Sequence, residues 1–147
     1  MSNGKENYGL KLDDVLDAAT RYMEQWHVMK KNPVPYFGAA AASELSSSLD
    51  HPSQLWYQLD NGNKWKMAGC YFQSLHDFLS GISGYLSAGC TPACVKRDAA
   101  NSTLKAYSKR EEFEKEGGWI HYFLTLKNDD QVEFIEWHNK NSANVMV

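Results

Sequence analysis

The closing segment of the chain constrains the fold most, because apolar and polar side chains alternate on both sides of a polar turn. Residues 117–139 read GGWIHYFLTLKNDDQVEFIEWHN. Successive side chains of a β-strand point to opposite faces, and a turn of two or four residues around Asn128–Asp130 pairs two strands as a hairpin. The segment therefore predicts antiparallel strands at residues 119–126 and 132–138.

The two faces of this predicted hairpin differ in polarity. The more apolar face carries Ile120, Tyr122, Leu124, Leu126, Glu133, Ile135 and Trp137. It is expected to pack on helices, since each large apolar side chain that is buried contributes about 1.5–3 kcal/mol. The other face carries Trp119, His121, Phe123, Thr125, Val132, Phe134, Glu136 and His138. Such a mixed face is typical of solvent or of a homodimer interface. His121 and Glu136 would pair across the strands there, with acid–base chemistry as the alternative.

The rest of the chain alternates between helical and strand patterns. Apolar residues at helical spacing predict helices over residues 12–29 and 72–86, and the alanines favour a weaker helix over residues 35–49. The further predicted elements are a short hairpin of SQLWYQL and NKWKMAG around DNGN, a turn and short strand in CTPACVKRDAA, and a strand in STLKAYSKREEFEK. This order predicts an α+β fold with helices packed on one face of a mostly antiparallel sheet.

Composition limits the possible functions. The 147 residues suit one domain, predicted over residues 11–147 after a disordered segment at 1–10. A net charge of −3 argues against nucleic-acid binding. No apolar run reaches the length of a membrane span, and the polar N-terminus is unlike a signal peptide. We therefore predict a cytoplasmic protein without a nucleic-acid or membrane partner.

The cysteines give no metal signature. Their odd number, three, is typical of a reducing compartment. Cys90 and Cys94 have three residues between them and no second pair nearby, so we interpret them as ordinary thiols and predict no metal and no cofactor.

Three stretches resemble the nuclear transport factor 2-like family, which includes SnoaL-type polyketide cyclases, ketosteroid isomerases and scytalone dehydratases. They are ATRYMEQWHV, LDNGNKWKMAG followed by a helix, and HYFLTLKNDDQVEFIEWHNKN. The resemblance covers roughly residues 10–140, mainly as a pattern of elements. It implies a cone of three helices packed on a curved, mostly antiparallel sheet, with a pocket at the wide end and a homodimer through the outer sheet face.

The resemblance also implies a function. The family positions match Tyr22, Asp60 and Tyr122, with Asp60 as general base and the tyrosines stabilising a developing oxyanion. The chain would then be a small isomerase, lyase or cyclase that transfers protons on an apolar cyclic or polyketide-like molecule. Pocket walls would come from Trp26, Trp56, Phe78 and Trp137, with Tyr57 and Trp65 as further candidates.

Two alternatives stay open at this point. Asp60 also fits a turn residue, and Tyr22 and Tyr122 also fit core tyrosines whose hydroxyls are hydrogen-bonded. The domain would then bind a ligand or another protein without catalysis. A cone filled by its own tryptophans would favour a protein-interaction domain.

Overall fold

The computed structural model describes residues 9–100 and 110–146, with side chains up to residue 142. Its helices are α1 Leu12–Lys31, α2 Val34–Glu44, α3 Pro52–Gln58, α4 Asn61–Ala68, α5 Phe72–Ser87, α6 Ala93–Ala100, α7 Arg110–Glu116, α8 Gly118–Thr125 and α9 Asn128–Met146. Short 3-10 turns lie at Ser48–Asp50 and Gly69–Tyr71. Within these ranges the chain forms no β-strand.

The α+β prediction is therefore wrong for the part of the chain that the structure describes. A nuclear transport factor 2-like cone needs a curved sheet, and the described elements are helical. The resemblance to that family and the cone pocket are wrong with it. The homodimer stays a prediction, although the described residues contain no sheet through which it could form. The isomerase and lyase activities that were inferred from the resemblance lose their basis.

The closing segment forms α8 and α9 instead of a hairpin. The buried side chains of α9 recur every three or four residues, as on one face of a helix: Gln131, Phe134, Ile135 and His138. Those of α8 are Ile120, Tyr122 and Phe123. So many neighbouring positions are apolar that both a period of two and a period of 3.6 fit the same letters. Asp129 and Asp130 in the first turn of α9 favour the helix, because carboxylates stabilise a helix N-terminus.

The other predicted strands are also wrong where the structure describes them. SQLWYQL and NKWKMAG form α3 and α4, and the strand predicted after Cys90 is the helix α6. In the strand predicted from STLKAYSKREEFEK, residues 110–115 belong to α7, whereas its first part lies outside the described residues. Residues 1–8 of the segment predicted to be disordered also lie outside them.

The helices predicted near the N-terminus and in the middle of the chain are confirmed. The buried side of α1 consists of Val15, Ala18, Ala19, Tyr22, Trp26 and Met29, which is the predicted helical spacing. This side of α1 contacts α4, α5 and α8, so α1 lies at the centre of the packing. The buried side of α5 is likewise regular and carries Phe72, Leu75, Phe78, Leu79 and Ile82.

Two consecutive glycines separate α7 from α8. Gly117 has φ 127° and Gly118 has φ 60°, a region that residues with a Cβ avoid. A Cβ on Gly117 would also lie 2.6 Å from Cβ of His121.

Among the described residues, no helix is both long enough and apolar enough to cross a membrane.

Candidate functional site

Tyr22, the first predicted catalytic residue, is a core tyrosine on α1. Its side chain is completely buried, and its ring packs edge-on against Trp56 with centroids 5.2 Å apart. The hydroxyl donates a hydrogen bond to the carbonyl of Pro52 at the start of α3. Burial raises the pKa of Tyr22 well above its ordinary value, so this hydroxyl stays protonated and serves to join α1 to α3.

Asp60, the predicted general base, is the N-cap of α4. Its side chain is exposed, and Oδ1 accepts a hydrogen bond from the backbone N–H of Asn63 at 2.8 Å. Aspartate is favoured at an N-cap because it satisfies an otherwise unpaired helix N–H. The DNGN motif is therefore the start of a helix in this structure.

Tyr122, the third predicted catalytic residue, lies on α8. Its hydroxyl donates to Oδ2 of Asp98 on α6 at 2.7 Å. Burial, followed by this contact with the carboxylate, raises the pKa of Tyr122. Among the described residues, no hydrogen bond or ring contact joins any two of Tyr22, Asp60 and Tyr122. They are hydrogen-bonded instead to Pro52, Asn63 and Asp98, respectively.

The four predicted pocket walls belong to the packed interior. Trp26, Trp56 and Phe78 are buried, and the Trp26 indole donates to the carbonyl of Leu49 at 2.7 Å. Trp137 is half-buried, and its indole donates to Sγ of Cys90 at 3.2 Å. These rings fill the core around α1 and α5.

A surface cleft of about 550 Å³ lies beside Tyr122. It is lined by Arg97, Asp98, Tyr122, Thr125, Leu126, Lys127 and Asp130. Its polar groups are already connected: Arg97 bonds Asp98 through Nε at 3.2 Å and Asp130 through Nη2 at 3.0 Å. Two cationic side chains, Arg97 and Lys127, and two carboxylates, Asp98 and Asp130, line this cleft. Their charges cancel, so the cleft does not favour a ligand of either charge.

Cys94, whose side chain contacts Tyr122, is not an activated nucleophile. It is almost completely buried, and its backbone N–H donates to Oε1 of Glu133 at 3.1 Å. Burial and then the charge of Glu133 raise the pKa of the Cys94 thiol to about 12. Nucleophilic cysteines need a lowered pKa, since the thiolate is the reactive form.

The polar residues of the closing segment do not form the predicted outer face. His121 is half-buried on α8 and Glu136 is exposed on α9; no hydrogen bond or ion pair joins them among the described residues. His138, predicted on the outer face, is 4% exposed. The described residues contain no group of three or more side chains suited to hold a metal ion.

His138 packs between α9 and α5. Its Nε2 lies 3.0 Å from the carbonyl oxygen of Asp77, and its Nδ1 is buried without a hydrogen-bond partner among the described residues. Burial lowers the pKa of His138, an effect that the contact with the Asp77 carbonyl partly opposes. The imidazole is therefore built into the core as a neutral group.

Two exposed aromatic side chains lie on α3 and α4, and both contact α5. Tyr57 on α3 is 53% exposed and Trp65 on α4 is 48% exposed. The Trp65 ring packs on Phe72 with centroids 4.9 Å apart, and the Phe72 ring stacks with His76 at 6.1 Å. The Tyr57 hydroxyl lies beside the side chain of Ser83, farther along α5.

Two lysines flank Trp65 in the sequence. The Lys64 ammonium lies 5.3 Å from the centre of the Trp56 ring, at a distance typical of a cation–π contact. Lys66 is exposed. We call the set Tyr57, Lys64, Trp65, Lys66 and His76, together with the buried Phe72 on which Trp65 rests, the aromatic face.

Buried polar atoms without partners concentrate near the aromatic face. Among the described residues they include Trp56 Nε1, Asn63 Oδ1 and His76 Nδ1. Trp56 contacts the Phe72 ring, and Asn63 lies on α4 next to Lys64. Trp56 itself is completely buried, so these atoms lie beneath the surface.

In comparisons with known proteins, no protein family, no curated protein and no solved structure matches this chain. The function must therefore be inferred from the geometry of the chain itself. Sequence reasoning had named Tyr57 and Trp65 as candidate pocket walls, but it missed the link between Arg97 and Asp130. Arg97 and Asp130 are 33 residues apart and share no motif, so a single sequence does not indicate that they are in contact.

Proposed function

We propose that this chain is a non-catalytic helical domain that binds a segment of another protein through the aromatic face. One observation carries the proposal: Tyr57 and Trp65 are about half exposed, whereas Trp26, Trp56 and Phe78 are buried. Tyrosine and tryptophan are enriched among the residues that contribute most to binding at protein interfaces.

The exposed rings are also held in place before any partner arrives. Trp65 rests on Phe72, and Tyr57 lies against α5 beside Ser83. Side chains that are already ordered lose less conformational entropy on association. This separates the aromatic face from single exposed apolar residues such as Val132, which are ordinary on protein surfaces.

The other candidate groups support a domain without catalysis. Tyr22 and Tyr122 donate hydrogen bonds within the core and to Asp98, and Asp60 caps a helix. Cys94 is protonated at neutral pH. General-base or nucleophilic chemistry needs a group near its reacting form at working pH, and these groups are not prepared for it.

The test is peptide selection on the purified protein. A random 12-residue phage-displayed library is selected on the native chain, and the enriched peptides are measured against a Tyr57→Ala/Trp65→Ala variant. A Val34→Ala/Val132→Ala variant removes exposed apolar side chains elsewhere and serves as the matched control.

We expect enriched peptides to bind the aromatic-face variant at least about tenfold more weakly, since interface aromatics commonly contribute more than 1.4 kcal/mol each. The control should bind like the native chain. Enriched peptides that bind all three proteins equally, or a library with no enrichment, would contradict the proposal.

A further inference from the structure

We propose that the end of α9 is a pH-sensitive latch, in which protonation of His138 releases residues 137–141 from the rest of the fold and frees Leu10 near the start of the chain. The proposal goes beyond the proposed function, because none of the residues that carry it belongs to the aromatic face.

Asn139 fastens the chain ahead of α1 to the end of α9. Its Oδ1 accepts the backbone N–H of Leu10 at 2.7 Å, and its Nδ2 donates to the Leu10 carbonyl at 3.0 Å. The Leu10 side chain packs against the hydrophobic core. Both backbone groups of one residue are thus held by a single side chain 129 residues away.

Two further contacts hold the same part of α9. The Trp137 indole donates to Sγ of Cys90 at 3.2 Å, and the Cys90 thiol donates to Oδ1 of Asn141 at 3.1 Å. His138 reaches the carbonyl of Asp77 on α5 at 3.0 Å. Residues 137–141 therefore join three segments that are far from them in the sequence.

His138, between these contacts, is built to hold one proton. A carbonyl can only accept a hydrogen bond, so Nε2, which faces Asp77, carries the proton of the neutral ring. Nδ1 is buried and has no hydrogen-bond partner in the part of the chain that the structure describes. A proton on Nδ1 would add a charge and an unpaired donor to a buried site, and both are costly.

The imidazole has no room to move deeper into the fold. A Cβ on Gly81 would lie 2.7 Å from its Cδ2, so the ring already rests on the backbone of α5. The groups that face it from α5 are the Asp77 carbonyl and the rings of Phe78 and Tyr85, with centroids 6.2 and 5.2 Å away. The charged ring gains water only when the end of α9 leaves α5.

The balance between closed and released states therefore depends on pH. Burial lowers the pKa of His138 in the closed state, and the contacts with Asp77 and Asn139 only partly oppose this effect. A released imidazole has the ordinary pKa of about 6.5. Below that pH the released state binds more protons, so the ratio of released to closed molecules rises by up to about tenfold between pH 7.5 and pH 5.5.

The release should reach Leu10 because His138 and Asn139 are neighbours on one helix. When the end of α9 leaves α5, Asn139 moves with it, and Leu10 loses both backbone hydrogen bonds. The competing possibility is that residues 9 and 10 detach alone while α9 stays in place. In that case the protection of Leu10 does not depend on the charge of His138.

The experiment is amide hydrogen exchange, followed by NMR at pH 7.5 and pH 5.5, with rates divided by the intrinsic rates at each pH to give protection factors. It compares the native chain, His138→Gln, and the matched control His27→Gln, which removes an exposed histidine from α1. The Leu10 amide reports on the latch. The Asn32 amide, which bonds to the Val28 carbonyl at the far end of α1, reports on the rest of the fold.

We expect the Leu10 protection factor to fall at least threefold, and up to about tenfold, at the lower pH in the native chain and in His27→Gln. In His138→Gln it should change by less than half of that, and the Asn32 amide should stay constant. A smaller fall in the native chain, an equal fall in His138→Gln, or an equal fall at Asn32 would overturn the latch.

A second measurement decides the question if His138→Gln does not fold. In the native chain the Trp137 indole N–H should lose protection together with the Leu10 amide as the pH falls. A Trp137 indole that stays protected while Leu10 exchanges would show that residues 9 and 10 detach alone, and would overturn the proposal.

Discussion

The hydroxyl of Tyr122 donates a hydrogen bond to Oδ2 of Asp98 at 2.7 Å, which joins α8 to α6. Asp98 in turn contacts Nε of Arg97 at 3.2 Å, and Arg97 reaches Asp130 on α9. A tyrosine that resembled a catalytic residue is thus one end of a polar chain that connects three helices.

Removing the Tyr122 hydroxyl should destabilise the fold. In Tyr122→Phe the partly buried Asp98 carboxylate loses a donor, and hydrogen bonds to charged groups contribute about 1.5–3 kcal/mol. We expect a loss of about that size in the free energy of unfolding, measured by urea denaturation. Tyr36→Phe, a change at a tyrosine outside this network, is the control and should alter stability by less than about 0.5 kcal/mol. Equal effects of the two changes would contradict a structural role of the Tyr122 hydroxyl.

Gly81 is needed for the packing of His138 against α5. A Cβ at this position would meet the ring of His138, at 2.7 Å from Cδ2. Overpacking of this kind costs about 1–3 kcal/mol, so Gly81→Ala should lower the midpoint of thermal unfolding.

Gly84 provides the matched control, because it lies in the same helix and a Cβ there would meet no atom of the described residues within 4 Å. Gly84→Ala should therefore stabilise the fold by about 0.5–1 kcal/mol, as expected for alanine in place of glycine within a helix. The two changes should thus act in opposite directions. A stabilising Gly81→Ala would show that His138 is not packed as described.

The closing segment shows why part of this fold was not predictable from one sequence. Ile120, Tyr122 and Leu124 fit a strand, and Ile120, Phe123 and Leu124 fit a helix equally well. Tyr122 and Phe123 are both buried, so the local pattern does not decide, and the helix depends on packing against α1, which is distant in sequence. By contrast, the apolar spacing of α1 persists for five turns, so only a helix satisfies it.

The candidate site was predictable only in its residue types. Asp60 fits a turn, a general base and an N-cap, and only the bond to Asn63 decides among them. Tyr57 and Trp65 were recognised as candidate ligand contacts, but their exposure depends on how α3 and α4 lie on α5. Local spacing does not encode that arrangement.

The stability of the fold should depend on pH through His138. Burial lowers its pKa in the folded state, whereas the unfolded chain has the ordinary value of about 6.5. Below that value the unfolded state binds more protons, so the stabilisation is fully present above about pH 6.5 and is lost as the pH falls towards the folded-state pKa. From α5 the Tyr85 ring packs on the His138 ring with centroids 5.2 Å apart, and the charge of Asp77 opposes the shift.

The measurement is the free energy of unfolding from pH 7.5 to pH 5 in the native chain and in His138→Gln. We expect the native chain to lose more stability than the variant as the pH falls, because glutamine does not titrate. The same pH dependence in both proteins would show that His138 is not a buried neutral group.

The central claim, that the aromatic face binds the partner, is tested most directly by the indole N–H signals. The chain has five tryptophans, so a ¹⁵N-labelled sample gives a small set of indole resonances that single substitutions assign. A peptide enriched in the selection is titrated into the labelled protein. We predict that the Trp65 resonance shifts progressively with peptide concentration, while those of Trp119 and Trp137 stay in place. A Trp65 resonance that does not move while the peptide binds, or shifts confined to Trp119 and Trp137, would contradict the account.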